Sequence, residues 1–270
     1  MALCNILVHL DSRARTAERL HLACTVAARE GARLVGVFGQ VSQPHQVGIV
    51  AKWPSEQYVE AAAASQAQFA EATAGLDKAE WTDLNRGSEQ EILRTITDLS
   101  RHFDLVIIGQ TEEAGKRLVP ADMAEQLIAE SGRPVLVIPF VGHYTDVGHR
   151  PFIACTDVRP AARALNDALP LVADDATALV VSILRNKNTG HESIGQVVTH
   201  LTCHGIAAAA ETVIVEDFGL MDLLLNRASE HGADLLVIGA FGGYGYPLLN
   251  RGSGTRFMLR HMTVPVLFSH

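Results

Sequence analysis

Asp234-Leu-Leu-Val-Ile-Gly239-Ala-Phe-Gly242 and, nine residues further on, Gly252-Ser253-Gly254-Thr255 form the stretch that decides the fold. Its first part is an unbroken apolar run of strand length closed by glycine, the pattern of a parallel strand covered on both faces. Its last part opens an amphipathic segment over 255–261, which predicts a helix. Between strand and helix lies a loop rich in glycine. Glycines let the backbone approach a ligand closely, and the first free N–H groups of a helix point at an anion. Ser253 and Thr255 add hydroxyls at the same place. A loop of this composition suits a phosphate.

Working outward, the chain repeats itself. Asp104-Leu-Val-Ile-Ile-Gly109 matches Asp234-Leu-Leu-Val-Ile-Gly239. Arg133-Pro-Val-Leu-Val-Ile138 matches Val264-Pro-Val-Leu-Phe268, and Asn5-Ile-Leu-Val-His-Leu-Asp11 matches Phe152-Ile-Ala-Cys-Thr-Asp157. A period this long indicates a duplicated domain rather than a solenoid. The expected division is a domain over 1–140, a linker over 141–150 and a second domain over 151–270. In the second half, strands are expected at 152–156, 178–184, 208–215, 235–239 and 264–268. Amphipathic stretches separate them: Ala17, Leu20, Cys24 and Ala28 keep helical spacing up to Gly31, as do Ile194, Val197, Val198 and Leu201 before Gly205. Pro160 suits a first helical turn, whereas Pro170 should kink or restart its helix. Alternating strands and helices give an α/β fold, two tandem doubly wound (Rossmann-like) domains with right-handed crossovers.

Composition narrows the function. The 270 residues are 48% hydrophobic and carry a formal net charge of −8, with mean hydropathy +0.15. No lysine/arginine run offers a nucleic-acid or anionic-membrane surface. No apolar run approaches the roughly 18 residues of a membrane span. The N-terminal residues read as a first strand and not as a signal peptide. Cys4, Cys24, Cys155 and Cys203 are scattered, without a Cys-x2-Cys pair, and are expected to be small buried hydrophobes of a reduced, cytoplasmic protein.

The spacing Gly239-x2-Gly242-x9-Gly252-Ser253 is neither a P-loop nor a dinucleotide fingerprint. It resembles the nucleotide-binding signature of the universal stress protein family, and the likeness extends over essentially the whole chain as a tandem, UspA-like arrangement. The resemblance implies five parallel strands per domain in the order 3-2-1-4-5, with the ligand at the switch point between strands 1 and 4. It implies ATP, ADP or AMP as ligand, with magnesium an option. Gly239 and Gly242 are assigned to the ribose and first phosphate, and Gly252, Ser253, Gly254 and Thr255 to the outer phosphates. Asp157 is placed at the adenosine end, because a carboxylate beside phosphates is repelled; as an equal alternative it caps the next helix. The end of strand 2, about Val181 to Ile183, is expected beside the base. Arg251 is read as a solvated charge rather than a phosphate partner. The resemblance also implies an intramolecular pseudo-dimer, with 135–138 and 264–268 pairing as edge strands, and leaves a homodimer open.

The first half departs from the signature. Asp11 and Gly109 survive, but Glu112 and Glu113 stand at the second glycine and Asp122-Met123 at Gly-Ser. Carboxylates at a phosphate seat argue against anion binding there, so this half is expected to keep the fold without the nucleotide. His200 and His204 stand at i, i+4, a spacing that suits zinc but here borders an apolar stripe. An insertion over 43–57, with Trp53 and Tyr58 at its end, precedes an Ala-rich helix over 60–71.

No lysine, arginine or base is aimed at a γ-phosphate, so the expectation is a nucleotide sensor or binding module with at most slow ATP hydrolysis. The alternatives are a protein-interaction scaffold without nucleotide and an adenylate-forming or phosphate-transferring enzyme on a related fold.

Overall fold

The computed structural model describes residues 2–47, 50–111, 117–184, 192–214, 219–242 and 252–270. The chain divides into two compact units, Ala2–Thr145 and Asp146–His270.

In the N-terminal unit the strands β1 (Asn5–Leu10), β2 (Arg33–Phe38), β5 (Ala79–Asp83), β6 (Leu105–Gly109) and β7 (Val135–Ile138) form a parallel sheet in the order β5-β2-β1-β6-β7. Helices α1 (Thr16–Glu30), α2 (Glu56–Ala72), α3 (Glu89–Ser100) and α4 (Met123–Glu130) connect them. A short antiparallel hairpin, β3 (His45–Val47) with β4 (Val50–Lys52), falls in the expected insertion. In the C-terminal unit β8 (Pro151–Cys155), β9 (Thr177–Leu184), β10 (Ala207–Ile214), β11 (Leu235–Gly239) and β12 (Val266–Ser269) are ordered β10-β9-β8-β11-β12, again all parallel. Helices α5 (Arg159–Ala168), α6 (Glu192–Cys203), α7 (Leu220–His231) and α8 (Ser253–His261) connect these. Each unit therefore has the order 3-2-1-4-5.

The apolar runs make the core. Leu105, Val106 and Ile107 of β6, and Leu235 and Leu236 of β11, are fully buried, as strands covered on both faces require. An aspartate fixes the start of the first strand in each unit. Asp104 Oδ2 accepts from the backbone N–H of Cys4 and Asn5; Asp234 accepts from those of His149 and Arg150. That correspondence sets the register of the duplication: Asn5 matches Arg150, Leu10 matches Cys155, and Asp11 matches Thr156.

Local punctuation behaves as glycine and proline dictate. Gly31 ends α1 with φ 62° and donates back to Ala27 and Ala28. Pro160 sits in the first turn of α5, and Pro170 falls in the 3-10 turn Leu169–Leu171 that ends it. The cysteine expectation is corrected. Only Cys155 is buried; Cys24 is half-buried, and Cys4 and Cys203 are exposed, Cys4 just ahead of β1 and Cys203 at the last residue of α6.

Candidate nucleotide-binding site

The strand order of each unit reverses between its first and fourth strands, and the crevice at their carboxyl ends is where doubly wound folds hold ligands. In the C-terminal unit these are β8 and β11, with the first turns of α5 and α8 beside them. Neither helix has a side-chain cap or an acidic residue in its first turn. Among the described residues the N–H groups of Ser253 and Gly254 in α8 have no partner, and the helix dipole favours an anion there. The N-terminus of α5 offers less, because Pro160 has no N–H and that of Ala161 is bonded to the Val158 carbonyl.

The sequence-predicted residues come together unevenly. Gly252 holds the N-cap of α8 with φ 94°, a conformation L side chains rarely adopt. Ser253 and Gly254 follow, half-buried, in the first turn, and Thr255 is buried beneath them. Thr255 Oγ1 accepts the N–H of Phe241 at 3.0 Å. The hydroxyl therefore fastens the Gly239–Gly242 turn to α8, a job the sequence did not reveal. Gly242 is exposed, and a Cβ on it would lie 3.2 Å from Val158 Cγ2. Gly239 is needed for packing: a Cβ there would run into the backbone of Pro160 and Ala161, where α5 crosses the end of β11.

Asp157 is exposed and lies two residues beyond the end of β8. By register it is one place past the counterpart of Asp11, which is Thr156, so the sequence match of the two aspartates is off by one. The helix-cap alternative is not realised, because Val158 holds the N-cap of α5 and no side chain caps it. Val181 is buried in β9 between Ala154 of β8 and Glu211 of β10, so its side chain is not offered to a ligand. Arg251 lies outside the described residues.

The same place in the N-terminal unit is filled by the protein itself. Arg19, buried on α1, donates through Nη2 to Asp11 Oδ2 at 3.1 Å and through Nε to the His9 carbonyl at 2.7 Å. Thr16 Oγ1 and the Arg13 N–H both donate to Asp11 Oδ1 at 2.7 Å. Burial alone would push the Asp11 carboxyl up, but the Arg19 guanidinium and these hydrogen bonds hold it below its ordinary value. Burial pushes the His9 imidazole down to about 4, and its Nε2 meets the Gly39 carbonyl at 2.8 Å. A carbonyl only accepts, so Nε2 carries the hydrogen and the ring is neutral. Gly109 survives here for a different reason: a Cβ would collide with Arg19 Nη1. What space is left is a cavity of about 20 Å³, room for a water molecule and far below the roughly 300 Å³ of a small-molecule pocket. The buried positions of α5, Ala161, Ala164, Leu165 and Ala168, repeat the spacing of Thr16, Arg19, Leu20 and Ala23 on α1. Alanine thus stands in the C-terminal unit where Arg19 stands in this one.

Asp122 is exposed at the start of α4 and makes no capping bond; Glu112 and Glu113 lie outside the described residues. Tyr58 and Trp53, at the end of the insertion, are fixed by Tyr58 Oη donating to Asp83 at 2.6 Å and the Trp53 indole donating to Asn85 Oδ1 at 2.9 Å. Trp53 borders a cleft of about 400 Å³ that Arg86 and Glu91 also line. His200 and His204 pack edge to face at 4.8 Å, and no group of three or more metal-ligating residues occurs among the described residues. Among those residues no helix is long and apolar enough to cross a membrane.

No protein-family model matches the chain, and no curated protein sequence does. Solved structures match its fold. A universal stress protein from Archaeoglobus fulgidus is 16% identical, with 98% of this chain and 96% of that one covered and a TM-score of 0.72. A protein of unknown function from Pseudomonas aeruginosa is 15% identical, with 99% and 92% covered and a TM-score of 0.58. One half of the chain also lines up with an Archaeoglobus fulgidus universal stress protein in complex with dAMP, at 18% identity over 51% of this chain and 98% of that one, with a TM-score of 0.35. The chain has the tandem doubly wound fold seen in a two-domain universal stress protein.

Proposed function

We propose that this chain is an adenine-nucleotide-binding module of the universal stress type, with one nucleotide held in its C-terminal unit. The observation that carries the reading is the contrast between the two switch points. In the N-terminal unit Arg19 and Asp11 fill the crevice, whereas in the C-terminal unit Ala164 leaves that position small. There the uncapped N-terminus of α8 opens on Gly252-Ser253-Gly254. Under this reading the α8 N–H groups and Ser253 serve phosphate, the turn at Gly242 serves the ribose side, and Asp157 with the backbone at Val181 serves the adenosine end. Magnesium accompanies ATP or ADP, hydrolysis is slow because among the described residues no general base stands at the phosphate seat, and the setting is the cytoplasm and a stress response. Pairing of the two halves through their last strands belongs to the same proposal; chemical cross-linking between cysteines placed at Val137 and Leu267 tests it.

Denaturing freshly purified protein and counting the released nucleotide tests the main claim. About one adenine nucleotide per chain supports it. Two per chain would contradict the account of the N-terminal unit, and none, with added AMP and ATP also failing to bind, would remove the reading. The rival is a scaffold without nucleotide. It draws support from Gly239 and Gly252, each of which has a packing reason to be glycine in the absence of any ligand.

A further inference from the structure

Phe241 sits between the two glycines of the turn with φ 53°, in the left-handed region that a bulky residue adopts only when its surroundings hold it there. Three contacts hold it there. Its N–H is bound by Thr255 Oγ1. Its ring lies against Gly252, so that a Cβ on Gly252 would stand 2.8 Å from Cδ1 and 2.9 Å from Cε1. Its other side meets the His270 ring edge to face at 5.6 Å, and His270 Nδ1 is itself 3.1 Å from the Ala240 carbonyl. Phe241 is thus tied to both the N-cap and the third residue of α8, across the turn whose N–H groups would serve outer phosphates.

We infer that Phe241 sets the phosphate-chain length this site accepts, favouring a nucleoside monophosphate over a triphosphate. The inference rests on the nucleotide reading above. A monophosphate is served at the Gly242 turn and leaves the ring in place. Outer phosphates reach the first turn of α8 only when the ring leaves Gly252, which gives up its contacts with Gly252 and His270. Affinity for ATP is then reduced by the fraction of molecules in which the ring is displaced. The positive φ is the geometry that brings the ring onto Gly252.

The test is calorimetric titration of AMP, ADP and ATP (with magnesium) into the full-length wild type, Phe241→Gly and Phe241→Tyr. Glycine adopts the same φ without strain and removes the ring; tyrosine keeps the ring. The wild type and Phe241→Tyr are expected to prefer AMP over ATP by about ten-fold or more, and Phe241→Gly to bring the ratio to about one or below. Equal affinities in the wild type, or a ratio that Phe241→Gly leaves unchanged, overturns the role of Phe241 while leaving nucleotide binding intact. Failure of all three proteins to bind any of the nucleotides overturns the nucleotide reading, and this inference with it.

Discussion

Arg19 donates to Asp11 at 3.1 Å with both side chains almost wholly shielded from water, at the point where the strand order of the N-terminal unit reverses. A buried pair of this kind contributes little net stability, since desolvation offsets much of the attraction, but breaking it strands a charge. Arg19→Met keeps the volume and leaves Asp11 uncompensated. The expected loss is about 3–5 kcal/mol, read from urea denaturation. The double variant with Asp11→Asn should recover part of it, because the stranded charge is gone while the acceptor for Thr16 and Arg13 remains. Neither variant is expected to bind a second nucleotide, since the acidic neighbourhood and the missing glycines persist.

His9 makes stability fall on mild acidification. Its folded value is pushed down from 6.5 to about 4 by burial, so between those values the unfolded chain binds a proton that the folded protein refuses. Stability is therefore full above about pH 6.5 and declines toward pH 4, by about 3 kcal/mol at most at 1.36 kcal/mol per pKa unit. Asp11, held below its ordinary 3.8, adds a further loss only below about pH 4. Urea midpoints measured from pH 7.5 to 4.5 should slope downward in the wild type. His9→Gln, which keeps a donor for Gly39, should flatten that slope; an equal slope in both proteins would count against this assignment.

The sequence displayed the strands and the duplication because burial on both faces writes itself as unbroken apolar runs such as Leu235–Gly239, closed by glycine. Side chains that break a local rule were harder to read. An arginine on the apolar face of a helix has the look of a solvated charge, and only the structure shows Arg19 neutralised by Asp11. Matching Asp11 with Asp157 by letter missed the register, which the backbone bonds of Asp104 and Asp234 fix one residue away. Phe241 was invisible for a similar reason: a left-handed phenylalanine contradicts its own propensity, and the tertiary contacts that enforce it come from α8 and from the chain beyond β12. The one available signal was its position between two glycines.

His149 responds to pH with the opposite sign. Its Nδ1 lies 2.7 Å from Asp175 Oδ1 and its Nε2 3.2 Å from Asp146 Oδ2. Both nitrogens can donate only in the imidazolium, and those hydrogen bonds raise its folded value above 6.5. Its contribution is present below about pH 6.5 and is lost as pH rises through the folded value. Proton NMR titration of the His149 imidazole should give a midpoint above 6.5 in the wild type, and Asp175→Asn, which removes one of its two partners, should lower that midpoint. No change in midpoint would mean the Asp175 contact is absent in solution.

The glycines of the C-terminal unit should divide into those the fold needs and those only a ligand needs. Gly239→Ala puts a methyl into the backbone of Pro160 and Ala161, and overpacking of this kind costs about 1–3 kcal/mol or more. Gly252→Ala meets both the Phe241 ring and a φ of 94°, so it too should lower the melting temperature. Gly254→Asp is different. Its Cβ would lie 3.2 Å from Met221 Cε, the end of a flexible side chain, and an acid in the first turn of α8 suits the helix dipole. The fold should hold, with a melting temperature at or near the wild type. A carboxylate at the proposed seat of the outer phosphates should nonetheless abolish ATP binding by repulsion. Thermal melts and nucleotide titrations on the three variants separate the two roles. A Gly254→Asp protein that melts like the wild type and still binds ATP equally well would remove α8 from the site.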